Sequence, residues 1–261
     1  MSGPGRPVPT LFLGHGSPLN VLEENGFRRS WEELGATLPR PRAVLCVSAH
    51  WETRGVYVTS AQHPATIHDF QGFPRALYRV RYPAPGSPEL ATRVRSLLRP
   101  VAVHDDDCRG LDHGAWSVLS AMYPEADVPV VQLSLDFTAP PAAHYELARK
   151  LAPLRDEGVL VLGSGNIVHN LSLWHRADTE PYDWASRFDS AIVERILAGE
   201  HHDIIHWHAL APDAHRAIPT PEHFLPLLYP LALQRDGEPA EVFNRAVETS
   251  LSMTSLLVGV H

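Results

Sequence analysis

Lysine is nearly absent from this sequence, because Lys150 is the single lysine among 261 residues. Lysine and arginine together number 22 against 30 acidic residues, so the formal net charge is -8. A broad nucleic-acid-binding face requires clustered basic side chains that neutralise phosphates. The composition therefore argues against nucleic acid as a partner.

Cysteine and long apolar runs are scarce as well. Cys46 and Cys108 are the only cysteines, which argues against a disulfide scaffold and against a cysteine-rich zinc site. Cys46 lies in an apolar run and is expected to be a small buried side chain. No segment reaches the ~18 apolar residues of a membrane span, and the N-terminus has no apolar signal core. We therefore expect a cytoplasmic protein without membrane contact.

Several common enzyme motifs are also missing. The sequence contains neither the H-E-x-x-H motif of hydrolytic zinc enzymes nor a dinucleotide fingerprint. The segment GSGN lacks the spacing and the lysine of a phosphate-binding loop. Ser164, in GSGNI, does not satisfy the G-x-S-x-G pattern of a nucleophile elbow.

Strand-like and helix-like segments alternate along the chain. Apolar runs ended by turn residues predict buried strands at residues 10–13, 43–49, 56–59, 128–135 and 159–162. Helical spacing of apolar residues predicts helices at residues 88–98, 115–122, 142–154 and 184–197. This alternation predicts an α/β fold with a central, mostly parallel sheet flanked by helices. The runs 56–59 and 79–82 are candidates for an antiparallel edge that would make the sheet mixed.

The length is enough for one large domain, and we predict a single domain over residues 1–261, as a monomer or a homodimer. Within it, histidine is unusually common, with 16 residues. His15, His50 and His169 each follow a predicted strand, directly or after a few residues. Ligands of open α/β sheets bind outside the carboxyl ends of the strands. The three imidazoles are therefore expected to converge on one rim, which favours a metal site.

Two further histidines are candidates for the same site. His113, in GLDHGAW, lies where a loop leads into a predicted helix. His223, in IPTPEHF, is predicted to lie in the first turn of a helix, with Thr220 as the N-cap and Pro221 as the first helical residue. The polar stretch 201–208, which holds four histidines, is instead typical of a solvated helix.

Each of these histidines also has a simpler interpretation, since a single histidine after a strand is more often a hydrogen-bonded loop residue than a ligand. His68, in TIHDFQGFP, has two alternatives: it shapes a pocket or pairs with Asp69 in a turn. The histidines without a favourable context are His63, His104, His144, His175, His215 and His261.

Six short motifs together resemble one protein family. In chain order they are GHGSP, SAHWE, HDFQGFP, LDHGAW, GSGNIVHNL and TPEHFLPLLYPL. They resemble the class III extradiol ring-cleaving dioxygenases, or LigB-like enzymes, and most of all the branch named 4,5-DOPA dioxygenase extradiol, over residues 11–231. The resemblance implies a LigB-like fold and a single catalytic domain. It also implies an oxidoreductase of aromatic compound metabolism that opens a catechol, such as a DOPA-like one, with O2.

The same resemblance implies one metal ion per chain, Fe(II), with Zn(II) as an alternative occupant. His15 and His50 match the two N-terminal ligands of the family. His223 matches the third, where LigB-type members have glutamate, and Glu222 stands beside it. A site of three histidines departs from the two-histidine, one-carboxylate set common in such iron enzymes and also suits zinc.

The resemblance also implies roles for two histidines that are not in this ligand set. His169 matches the acid–base histidine of the family, with a fourth metal ligand as the alternative, and His113 matches a second histidine near the substrate or oxygen. Trp51, Phe73 and Trp116 are candidates for stacking on the substrate ring, although core packing is the more frequent role of such residues.

Two other functions use the same features. A zinc-dependent hydrolase would employ the histidines to hold a metal-bound water. A non-enzymatic binding protein would reuse the fold without catalysis, because a fold does not fix a function.

Overall fold

The structure is a computed structural model that describes residues 7–175 and 180–259. Residues 1–6, 176–179 and 260–261 lie outside the described residues, and so does His261. None of the helices within the two described ranges combines the length and the apolar character that a membrane crossing requires.

Strands and helices alternate through most of the chain. The strands are β1 (Thr10–Gly14), β2 (Ala43–Ser48), β3 (Glu52–Thr53), β4 (Val56–Thr59), β5 (Val103–Asp106), β6 (Val130–Gln132), β7 (Leu135–Asp136), β8 (Val159–Gly165), β9 (Ala240–Phe243), β10 (Val247–Glu248), β11 (Leu251–Ser252) and β12 (Ser255–Val258). The α-helices are α1 (Gly26–Thr37), α2 (Pro88–Leu97), α3 (His113–Met122), α4 (Pro141–Arg149), α5 (Pro153–Asp156), α6 (Asp183–Ala198), α7 (His201–Ile205), α8 (Ala214–Ala217) and α9 (Leu228–Ala232). Short 3-10 helices cover Pro18–Val21, Leu77–Arg79, Leu171–Leu173, Trp207–Ala209 and Leu225–Leu227.

The central sheet has six strands in the order β6-β2-β8-β1-β12-β9. The four strands from β6 to β1 are mutually parallel, whereas β12 pairs antiparallel with both β1 and β9. The predicted α/β fold with a mostly parallel, mixed-edge sheet is therefore confirmed. The antiparallel edge is formed by the C-terminal strands, which the sequence analysis did not identify.

The predicted antiparallel edge from residues 56–59 and 79–82 is wrong. Strand β4 pairs in parallel with β5, in a separate two-stranded sheet. Residues 79–82 form no strand, because the chain leaves a 3-10 turn at Arg79 and the backbone N–H of Tyr82 donates to Thr66 Oγ1. Pro83 then removes a donor that a strand would need.

Two other elements are divided where the sequence predicted one. The run 128–135 contains β6 and the first residue of β7, because the backbone N–H of Ser134 donates to the carbonyl of Tyr57 and the pairing with β2 ends before it. The segment 142–154 contains α4 and α5, and Pro153 begins the second helix because it has no N–H to continue the first. The stretch 201–208 is α-helical only to Ile205, and a 3-10 helix begins at Trp207.

The sheet is covered on both faces, as a parallel sheet requires. Side chains alternate along β1, so Leu11 and Leu13 pack with α1 and α3 on one face, whereas Phe12 packs with α4, α6 and α9 on the other. Cys46 is buried as predicted. The register pairs Gly14 with Gly165 and Ser48 with Ser164. The carboxyl ends of β1, β2 and β8 therefore lie side by side.

Candidate metal centre

His15 follows β1, and its tautomer is set by the hydroxyl of Ser164. The backbone N–H of His15 donates to Gly165 at 3.1 Å, which holds the residue at the sheet edge. Its Nδ1 lies 3.0 Å from Ser164 Oγ, and that hydroxyl donates its own proton to the carbonyl of Gly114 at 2.6 Å. Because a hydroxyl has one proton to give, Ser164 accepts from Nδ1–H of His15. The Nε2 atom of His15 therefore carries a free lone pair.

His50 lies two residues beyond β2 and faces His15. The two Nε2 atoms are 3.1 Å apart. On the other side of the ring, Nδ1 of His50 lies 3.7 Å from Asp69 Oδ2, which favours the proton on Nδ1. Two Nε2 lone pairs then point toward each other, an arrangement that a shared cation stabilises.

His223 completes the set from the far end of the chain. Its Nδ1 lies 2.9 Å from Glu222 Oε1, so the carboxylate holds the ring proton on that side. Its Nε2 is buried and has no hydrogen-bond partner within the described residues, although buried polar atoms usually have one. The ligand nitrogens of His15, His50 and His223 all lie within 4.8 Å of one another.

The local structure around His223 differs from the prediction. The residue lies in a turn that precedes the 3-10 helix Leu225–Leu227, and not in the first turn of an α-helix. Thr220 does not cap a helix, since its hydroxyl donates to Glu222 Oε1 at 3.0 Å. Pro226 follows closely, and prolines interrupt regular helical hydrogen bonding. The turn packs directly on the sheet, because a Cβ atom at Gly165 would collide with the carbonyl oxygen of His223.

The three histidines fit a divalent metal ion. Zinc–nitrogen bonds of about 2.0–2.1 Å in tetrahedral geometry place two ligand nitrogens roughly 3.4 Å apart, close to the 3.1 Å between His15 and His50. Burial holds the pKa values of His15 and His223 well below the usual range. Burial, followed by the charge of His113, lowers the pKa of His50 to about 3. The rings are therefore neutral at pH 7, as metal ligands must be.

His169 lies beside this set, four residues beyond β8. Its backbone N–H donates to Ala217 at 3.0 Å, and its ring stacks on that of His223 with centroids 3.4 Å apart. One ligand atom each of His169, Glu222 and His223 lies within 4.8 Å of the others. Burial lowers the pKa of His169 to about 4, against the opposing charge of Glu222.

His113 is the first residue of α3, as the sequence predicts for the start of a helix. Asp112 caps that helix by accepting from the backbone N–H of Ala115. The ring of His113 lies 3.8 Å from that of His50, centroid to centroid, and its Nδ1 lies 3.0 Å from Asp69 Oδ2. The structure therefore brings all five histidines of the predicted site into one cluster.

Asp69 is a part of the site that sequence reasoning missed. The sequence left two alternatives for His68, which were to shape a pocket or to pair with Asp69. The pairing with Asp69 is not observed, because Nε2 of His68 contacts the carbonyl of Val80 at 3.1 Å. The carboxylate of Asp69 faces His50 and His113 instead. The motif HDF did not indicate that Asp69 contacts His113, since the two residues are 44 positions apart in the sequence.

The aromatic candidates are placed in different surroundings. Trp116 is fully buried and donates its indole N–H to Ile67 at 2.8 Å, and Trp51 is buried beneath the guanidinium of Arg109. Both positions suit core packing. Phe73 is half-buried and packs on Phe70 with ring centroids 5.1 Å apart.

Comparison with known proteins gives consistent results. Residues 9–255 match the family model described as the catalytic LigB subunit of aromatic ring-opening dioxygenase. A protein of Escherichia coli K12 named 4,5-DOPA dioxygenase extradiol is 50% identical over 259 residues, covering 97% of this chain and 95% of that protein. A protein of the same name from Beta vulgaris is 39% identical, covering 91% of each chain.

A crystal structure of an uncharacterized protein from Escherichia coli K12 has a similar fold. Its TM-score is 0.85 at 45% identity, and the match covers 97% of this chain and 100% of that one. The expected family and fold are thus confirmed over nearly the whole sequence. The chain belongs to the LigB family of aromatic ring-opening dioxygenases and is a ring-cleaving oxidoreductase.

Proposed function

We propose that this chain is an extradiol dioxygenase that opens the ring of a DOPA-like catechol with O2 at one divalent metal ion. His15, His50 and His223 are the proposed ligands, within a single catalytic domain over residues 1–261. The observation that carries the proposal is the convergence of three imidazole nitrogens whose opposite ring nitrogens face other polar groups. The names of the relatives from Escherichia coli and Beta vulgaris support the catechol as substrate.

Fe(II) is the proposed native metal because the reaction activates O2, while the same three histidines also suit Zn(II). When bound, the metal supplies open coordination positions and lowers the pKa of catechol hydroxyls. The protein holds the ligand rings in place with Ser164, Asp69 and Glu222, which face the ring nitrogens turned away from the metal. Such partners orient ligands and raise their basicity.

His169 is the proposed acid–base residue. With a pKa of about 4 in the substrate-free site, its ring is neutral at pH 7 and accepts a proton from a catechol hydroxyl. Glu222 then stabilises the resulting imidazolium, and the same ring returns the proton later in the reaction. His113 is the proposed hydrogen-bonding partner of the substrate or oxygen.

The proposed function is tested by anaerobic reconstitution with Fe(II), followed by a panel of catechols under air. We expect a yellow ring-opened product and uptake of O2 in equal moles with the catechol consumed. The zinc-loaded protein is the control, and it is expected to consume no O2. If the Fe(II) protein consumed O2 with none of the catechols, the proposal would be contradicted, and the zinc hydrolase or the binding protein would be favoured. A cytoplasmic location and a monomeric or homodimeric state stay predictions.

A further inference from the structure

The carboxylate of Asp69 contacts two histidines of the cluster at once. Its Oδ1 accepts a hydrogen bond from the backbone N–H of His113 at 2.9 Å. Its Oδ2 lies 3.0 Å from Nδ1 of His113 and 3.7 Å from Nδ1 of His50. The side chain is only 19% exposed, so solvent screens these contacts weakly.

The position of Asp69 is fixed by the backbone of its loop. Ile67 donates its N–H to Leu111 at 2.8 Å, and Leu111 donates its own to Ala65 at 2.7 Å. The indole of Trp116, within α3, donates to the Ile67 carbonyl at 2.8 Å. The loop is therefore tied to the start of α3 two residues before Asp69.

The chemistry of a carboxylate constrains the two rings. An ionised carboxylate only accepts hydrogen bonds, so a ring nitrogen that faces Asp69 is favoured in its protonated form. For His50 this leaves the Nε2 lone pair directed at His15. For His113 it leaves Nε2 as the basic nitrogen. Nδ1 of His113 lies 3.0 Å from Oδ2 but makes no hydrogen bond of regular geometry within the described residues, so the negative charge of Asp69 is what favours a proton there.

We propose that Asp69 is a positioning residue that sets the tautomers of His50 and His113 together. It links a metal ligand to the histidine that faces the substrate, and in this respect the inference rests on the proposed function. The alternative is a purely structural role, in which Asp69 only satisfies the backbone N–H of His113 and holds the loop.

The variant Asp69→Asn separates these roles. Its amide oxygen still accepts from the backbone N–H of His113, while its NH2 group, which is neutral and has protons to donate, replaces the carboxylate oxygen that faces the ring nitrogens. We therefore expect the proton of His113 to move from Nδ1 to Nε2. Nitrogen-15 NMR of histidine in the zinc-loaded protein measures this, with the His113 signals assigned by their loss in His113→Gln.

Metal affinity and kinetics give two further measurements. Partners of metal ligands typically contribute about 10–100-fold to metal affinity, so we expect Asp69→Asn to weaken zinc binding by about that factor. With Fe(II) at saturation, we expect kcat to fall more than KM changes. The control is Asp106→Asn, because Asp106 also shapes a loop, accepting from the N–H groups of Cys108 and Arg109, but faces none of the five histidines.

The outcomes separate the inference from the function. If Asp69→Asn lowers only the melting temperature, with the His113 tautomer and zinc affinity unchanged, Asp69 is structural and the inference is overturned. If the tautomer and zinc affinity change as expected but the parent protein consumes no O2, the proposed function fails and the positioning role of Asp69 stands.

Discussion

The imidazole rings of His169 and His223 stack in parallel, with centroids 3.4 Å apart and planes inclined by 7°. Nε2 of His223 is buried and has no hydrogen-bond partner in the part of the chain that the structure describes. The stack therefore places a second imidazole in contact with a proposed ligand, outside the set formed with His15 and His50. A base at this position is close to any substrate held at the metal, which is what proton transfer requires.

Replacement of His169 by alanine is expected to leave the metal bound and to lower kcat by about 10²–10⁴, the usual contribution of acid–base catalysis. Metal content and O2 uptake are measured on the same preparation. His202→Ala is the control, since that side chain is 83% exposed and lies in α7. If His169→Ala loses its metal, His169 is a fourth ligand and not the acid–base residue.

The proposed ligand set predicts that His15→Ala and His50→Ala each abolish stoichiometric metal binding. His223→Glu is expected to retain the metal, because a carboxylate is also a metal ligand and completes the two-histidine, one-carboxylate set common in non-haem iron enzymes. Equilibrium dialysis against Zn(II), with the metal measured by mass spectrometry, tests all three variants. Full occupancy in both alanine variants would show that the metal is held elsewhere.

The parts of the fold that follow from periodicity were predictable. The buried strands β1, β2 and β8 are continuous apolar runs. Because ligands of open α/β sheets bind outside the carboxyl ends of parallel strands, His15 and His50 were predicted to lie on one rim. His169, four residues further along its loop, reached the same cluster. These predictions depend on local pattern and on a general property of parallel sheets.

The parts that depend on tertiary contacts were not predictable. Strands β9 and β12 are four residues long, and their antiparallel pairing is not visible in a short run. Asp69 acquires its role through a loop tied to α3, and the hydroxyl of Ser164 reaches His15 across 149 positions of sequence. One sequence alone shows none of these contacts.

Removal of the Ser164 hydroxyl is expected to weaken metal binding. In Ser164→Ala, Nδ1 of His15 loses its acceptor, so the ring is free to rotate and to change tautomer. We expect a loss of about 10–100-fold in zinc affinity, the usual effect of removing such a partner. Isothermal titration calorimetry measures it.

The matched control is Ser117→Ala in α3. Ser117 is also buried, at 1% exposure, but its hydroxyl has no hydrogen-bond partner within the described residues. Its loss should therefore leave zinc affinity unchanged. Equal affinity in Ser164→Ala and Ser117→Ala would mean that the hydroxyl of Ser164 does not orient His15.

The metal-free protein is expected to lose stability as the pH falls below about 6.5, the ordinary pKa of histidine. The folded state lowers the pKa of His15 and His223 by burial, and that of His50 to about 3. At pH 7.5 and above these rings are largely neutral in both states and contribute little pH dependence. Well below pH 6.5 the unfolded chain binds one more proton per ring, so each ring lowers the free energy of unfolding by up to about 1.4 kcal/mol per pH unit.

Urea unfolding at pH 7.5, 6.5 and 5.5 measures this slope, at pH values above the ordinary pKa values of carboxylates. His144, His169 and His201 also have pKa values lowered by burial, so the slope of the parent protein includes their contributions. The variant His50→Gln keeps a similar side-chain volume and removes one titrating ring from the cluster. Between pH 6.5 and 5.5, the free energy of unfolding of this variant should depend less steeply on pH, by the contribution of one imidazole. An unchanged slope would mean that His50 titrates normally in the folded protein.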